Sequence, residues 1–272
     1  MTIESNRRIT AVQEYRPESP VGNILPGSII NPIRYTNAGG IPPNERGAFE
    51  EKLLRMVRTL RETIHFGQPI NVVMSHALMM LREMQELPRY SAPDFGRLRT
   101  TSSFYEISEE LFPKLELLWQ DDEEIRWDTT GEWTEEGVQS GTFLTQLSNG
   151  NKIDLSQFTV WFEEGEVHEA VFKLTSPAHF SDIMQECDYL LFAIRLWHAN
   201  TDYLSVLIPT LFWWMVQGSF FKEGNAEIFE LIVSACMDEN ALRPWDEELD
   251  AYDAALCMNK EEFLNFCSIL RK

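Results

Sequence analysis

Positive charge is what the second half of this chain has least of. Residues 101–272 hold 10 Lys and Arg against 33 Asp and Glu, a net charge of −23, whereas residues 1–100 carry a net of +3. The 272-residue total is −20. Such a field repels nucleic-acid phosphates and anionic membrane surfaces, so direct binding to either is not expected. Solubility accounts for the charge by itself; a basic protein partner is the other reading.

Cysteine is also scarce. Cys187, Cys236, Cys257 and Cys267 match no metal-binding spacing and no CxxC unit. No secretory segment opens the sequence, and the four are read as reduced thiols, mostly buried in helices of an intracellular, cytoplasmic protein. A phosphate loop is missing: Gly39-Gly40 lacks the Gly-x-x-x-x-Gly-Lys-Ser/Thr spacing, and Pro42-Pro43 offers no backbone N–H to an anion. No internal repeat, cofactor motif or complete metal-ligand set is present, so no cofactor and no metal is expected. The longest uncharged stretch, Tyr203–Phe221, approaches the ~20 residues of a membrane span but is interrupted by Ser205, Pro209, Gln217 and Gly218. It is read as a buried central helix, with Phe212, Trp213 and Trp214 as the candidate self-association surface.

What is present is a sizeable core: 44% hydrophobic residues, with 8 Trp and 17 Phe. Residues 1–47, punctuated by Pro and Gly, read as an extended arm. Phe49, Leu53, Val57, Leu60 and Ile64 predict a helix over Ala48–His65, and Val73, Ala77, Leu81 and Met84 a second over Val72–Leu87. Arg97 and Arg99 make the following connection the most basic short stretch, a surface feature or an anion contact. Ser102 or Ser103 is placed to cap a helix reaching Trp119, interrupted at Pro113. The acids Asp121–Glu124 read as a solvated corner, and Ile125–Asp128 as a short strand.

Gly131–Leu174 predicts an antiparallel meander. Ser148-Asn149-Gly150-Asn151 and Glu163-Glu164-Gly165-Glu166 supply the tight turns. Phe158, Val160 and Phe162 share one face while Thr159 and Trp161 share the other; His168, Ala170, Phe172 and Leu174 alternate with Val167, Glu169 and Val171. One face meets helices, and the other lines an interior or an interface. From His179 the pattern is helical, with a stripe through Cys187, Leu190, Leu191 and Ile194, a helix over Ala226–Cys236, a short acidic helix from Pro244, and a last helix over Lys260–Leu270. Asn259 and Glu262 have capping-box spacing. The chain thus divides into an arm (1–47), an α+β domain (48–178) and a helical region packed on it (179–272).

Gly141-Thr142-Phe143, Asn149–Ile153 and Phe158–Val167 resemble the C-terminal sheet of NTF2-like, SnoaL-like proteins. The resemblance implies an α+β fold in which N-terminal helices pack on a curved antiparallel sheet and enclose a conical pocket, followed here by a helical C-terminal extension. Family members isomerise, dehydrate or cyclise small apolar molecules, or only bind and dimerise. Asp128 and His168 are the candidate acid–base pair, with Glu135 as a second acid able to orient the imidazole. Trp127, Phe158, Trp161 and Phe172 are the candidate pocket walls. His179 and Asp182 can share a helical face, but two side chains leave a metal site incomplete. Two functions remain: a protein-binding or scaffold protein that self-associates, and a cofactor-independent isomerase or dehydratase acting on a small apolar molecule.

Overall fold

The computed structural model describes residues 46–84, 88–107, 124–128, 137–237 and 251–269, together with positions 109, 112 and 115. The N-terminal arm, Asp121–Glu123, Glu135 and the acidic helix from Pro244 lie outside the described residues. Among them the protein is α+β: a five-stranded antiparallel sheet with two helices before it and five after it.

Helix α1 (Arg46–His65) buries Phe49, Leu53, Met56, Val57, Leu60 and Ile64, the three- and four-residue spacing of one apolar stripe. Gly67, at φ +81°, closes it by donating its N–H to the Ile64 carbonyl at 3.0 Å. Helix α2 (Ile70–Arg82) starts directly after Pro69, and its first N–H is capped from a distance by Asp188 Oδ1 at 2.6 Å. Both helices pack on α5 (Asn225–Cys236), and α2 also packs on α3 (Phe180–Leu196).

The strands are β1 (Phe104–Glu106), β2 (Ile125–Trp127), β3 (Gly137–Gln146), β4 (Lys152–Glu163) and β5 (Glu166–Lys173), in the order β1-β5-β4-β3-β2. The predicted meander forms the middle of the sheet, and β1 and β2 are its edges. The helix expected from Ser102 is corrected at its start: Phe104–Glu106 pairs with Val171–Lys173 as a strand. Tyr105 explains the choice, because in the extended form it sits in the same row as Phe172 and Phe158, and its hydroxyl donates to Asp253 at 2.7 Å.

Glu164 and Gly165, at φ +53° and +83°, form the two-residue turn between β4 and β5. Two bulges shape the sheet. The first lies between Thr142 and Leu144 and lets β4 change phase, so that Ile153 and Leu155 before it and Phe158, Val160 and Phe162 after it are all buried. The second leaves His168 as an extra residue, because Trp161 pairs with Glu169 and Phe162 with Val167.

The inner face of the sheet is filled by rings: Phe143 and Phe158 lie 5.2 Å apart, Phe158 and Phe172 6.2 Å, and Trp127 stands edge-on to Phe158 at 5.4 Å. Gly141 is required here, since a Cβ would fall 2.6 Å from the Phe158 ring. Helix α4 (Thr201–Gly218) touches the sheet through β4 and packs on α3, α5, α6 (Ala251–Cys257) and α7 (Lys260–Ile269). It is the buried helix expected from its lack of charge, and no described helix is long and apolar enough to cross a membrane. The capping box of α7 forms in full: Glu262 N–H donates to Asn259 Oδ1 at 2.9 Å, and Asn259 N–H to Glu262 Oε2 at 3.2 Å.

Arginines from the basic first part of the chain hold the carbonyl ends of these helices. Arg99 is buried, and its guanidinium donates to Ser219, Gly218 and Thr175 carbonyls at 2.5, 2.9 and 3.0 Å. It is neither a surface residue nor an anion contact; the fork of donors matches the last carbonyls of α4. Arg61 makes the same kind of clasp on α5, donating to Ala235 at 3.1 Å and to Met237.

Candidate functional site

The structure does not bring Asp128 and His168 together. Asp128 follows the edge strand β2, is exposed, and donates its N–H to the Ser140 carbonyl at 2.9 Å. His168 is on β5, and β3 and β4 intervene, on the order of 14 Å of sheet. Alternation from Ala170 and Phe172 placed His168 on the buried face. The bulge reverses it into solvent, where its imidazole lies 3.9 Å from Glu163 with a side chain 71% exposed.

The candidate pocket walls separate likewise. Phe158 and Phe172 are fully buried in the ring cluster with half-buried Trp127, while Trp161 is on the opposite face of the sheet. Phe212, Trp213 and Trp214 are corrected as an interface: all three are at most 1% exposed, with the Trp213 indole donating to the Met258 carbonyl at 2.9 Å. Their partners are α6, α7 and the chain's own rings, Phe263 among them at 6.1 Å from Phe212.

A cleft does exist elsewhere, at the end of the sheet where β5 leaves for α3. It encloses about 180 Å³ and is lined by Ser102, Asp154, Gln157, Lys173, Ser176 and His179, with Leu155 and Leu174 as its apolar part. Strand register sets Gln157 beside Lys173. Asp154 is three residues from Gln157, which would put it on the other face in a regular strand; the bulge between them returns it to the same one. Ser176 opens the turn Pro177–His179, its hydroxyl accepting from Ala178 N–H at 3.3 Å. His179 caps α3 with its backbone only, leaving its ring to face the cleft and Asp182, 4.0 Å away.

The charges of this cleft are unequal. Asp154 is taken up by Arg126, which donates to both carboxylate oxygens at 3.1 and 2.8 Å and holds the carboxyl below its usual range. Lys173 has no ion pair among the described residues. The cleft thus presents a free ammonium and an imidazole in a strongly acidic protein. Among the described residues no cluster of three His, Cys, Asp or Glu is placed to hold a metal.

The sequence singled out His179 and Asp182 only as an incomplete metal pair and Ser102 only as a helix cap, and it gave no binding role to Lys173, Gln157 or Ser176. Ser176-Pro177 is a start signal for a helical turn and marks one wall. The one signal that Asp154 and Gln157 share a face is the move of the apolar positions from Ile153 and Leu155 to Phe158 and Val160. None of the four cysteines is in a disulfide, and burial pushes the Cys187 and Cys257 thiols well up and Cys236 to about 12. No protein-family model matches this chain, and none of the curated proteins matches it.

Proposed function

We propose that this is a protein-binding or scaffold protein that meets its partner with the outer face of its sheet. The observation that supports this is the set of apolar side chains that face keeps in water. Val138 pairs with Trp161, and Thr159 with Val171; Phe104 lies at the edge beside Lys173. Phe104 is 74% and Val138 49% exposed, and Trp161 and Val171 are half-buried. Covering such residues is favourable, and Arg126, Glu169 and Lys173 around them supply a polar rim.

The partner is a second copy or a basic protein suited to the charge of −20. Kinship with NTF2-like proteins belongs to the same proposal, supported by the meander of three long strands bent by two bulges. The isomerase or dehydratase alternative loses its basis when Asp128 and His168 face solvent on different strands.

Light scattering on the native chain at low salt, with affinity capture from its source, tests the reading. A dimer, or a captured partner, that is lost in Trp161→Glu with the melting temperature kept is the expected result. A monomer that captures nothing sinks it.

A further inference from the structure

Beyond the docking reading, with whose polar rim the site shares Lys173, we propose that the cleft between Ser102, β4, the end of β5 and His179 is a binding site for a tetrahedral oxyanion, a phosphate group in chemical class. The argument begins with charge. In a protein of net charge −20, this concavity has an unpaired ammonium, Lys173, and an imidazole, His179, on its walls. Its one lining carboxylate, Asp154, is already bound at both oxygens by Arg126.

The donors then select the anion. Lys173, His179, the Gln157 amide and the hydroxyls of Ser102 and Ser176 line the same cleft. A carboxylate has two oxygens to receive them, whereas a phosphate has three or four, and charge-assisted bonds to it are the strong ones. Size agrees: about 180 Å³ is less than the ~300 Å³ at which pockets begin to hold a whole drug-sized molecule. The cleft takes a phosphate and the first atoms of its ester, with the rest of the ligand outside.

Two sources share this chemistry, a phosphorylated side chain of a protein and a small phosphate ester. Calorimetric titration of the full chain at low salt with inorganic phosphate, a phosphoserine peptide and a sugar phosphate separates them. Saturable binding of phosphate at concentrations below about 10 mM is expected, weakened about tenfold in Lys173→Gln. Asp154→Asn provides the opposite sign: removing the lining carboxylate strengthens binding several-fold, which general damage to the fold would not do. His179→Asn, which removes a second donor from the cleft wall, is expected to weaken phosphate binding several-fold at one fixed pH. Stronger binding of the peptide assigns the site to a protein partner, and stronger binding of the sugar phosphate to a metabolite. No saturation with any of the three, or binding that Lys173→Gln leaves unchanged, overturns the proposal.

Discussion

Arg99 shows how much one side chain can organise. Its guanidinium spans the end of α4, the strand exit at Thr175 and, across its flat side, the Phe180 ring at 5.2 Å. Burial lowers its pKa to about 10, so the cation is costly to bury and stays charged at neutral pH. The carbonyls are what offset that cost. Arg99→Ala leaves several buried acceptors short of a donor and is expected to destabilise by about 3 kcal/mol in urea unfolding. Arg99→Lys, with a point charge in place of a fork, falls between the two. Sequence could not show this, because an arginine in a loop between Arg97 and Thr101 carries no mark of burial; the carbonyls it serves are 119 and 120 residues away.

At the scale of elements, two glycines with the same backbone conformation separate strain from packing. Gly165 has φ +83° with nothing within 4 Å of a Cβ, and Gly224 has φ +87° with the Phe95 ring 2.5 Å away. Gly165→Ala is expected to cost about 1 kcal/mol, the left-handed backbone alone. Gly224→Ala adds an overpacked ring and costs about 3 kcal/mol. Denaturation midpoints of the two variants check the contrast. The helices α1, α2 and α7 and the strands β3 to β5 were legible, because each carries a regular apolar period and a turn or cap at its end. In β4 even the bulge left a trace: burial moves from odd positions, Ile153 and Leu155, to even ones, Phe158 and Val160. The same event in β5 was not readable, since His168 looks like one more step of the alternation. β1 was hidden by Ser102 and Ser103, which resemble a cap, and only Asp253 and the ring row of Phe158 and Phe172 reveal why Tyr105 is extended. The cleft was less legible than the fold because it depends on a bulge, a strand end and a turn meeting in space.

The described residues share one continuous core from Phe49 to Cys267, and packed in or against it are groups that resist losing their protons. Burial raises the Cys236 thiol to about 12, with Arg61 pulling the other way, and raises the Tyr90 phenol to about 12. Between about pH 9 and about pH 12 the unfolded chain has released protons that the folded one retains. Stability is therefore full below that window and falls as pH rises through it, by at most about 1.4 kcal/mol per pH unit for each proton. Urea midpoints measured at about pH 8 and about pH 10.5 should show the fall, and Cys236→Ala and Tyr90→Phe should each reduce it.

The clasps of Arg61 and Arg99 also bear on how the polypeptide is made. Arg61 waits for carbonyls at residues 235 and 237, and Arg99 for those at 218 and 219. A ribosome has finished most of the chain before either arginine finds its acceptor. The early segments leave the exit tunnel with the apolar stripes of α1 and α2 uncovered until α5 follows them out.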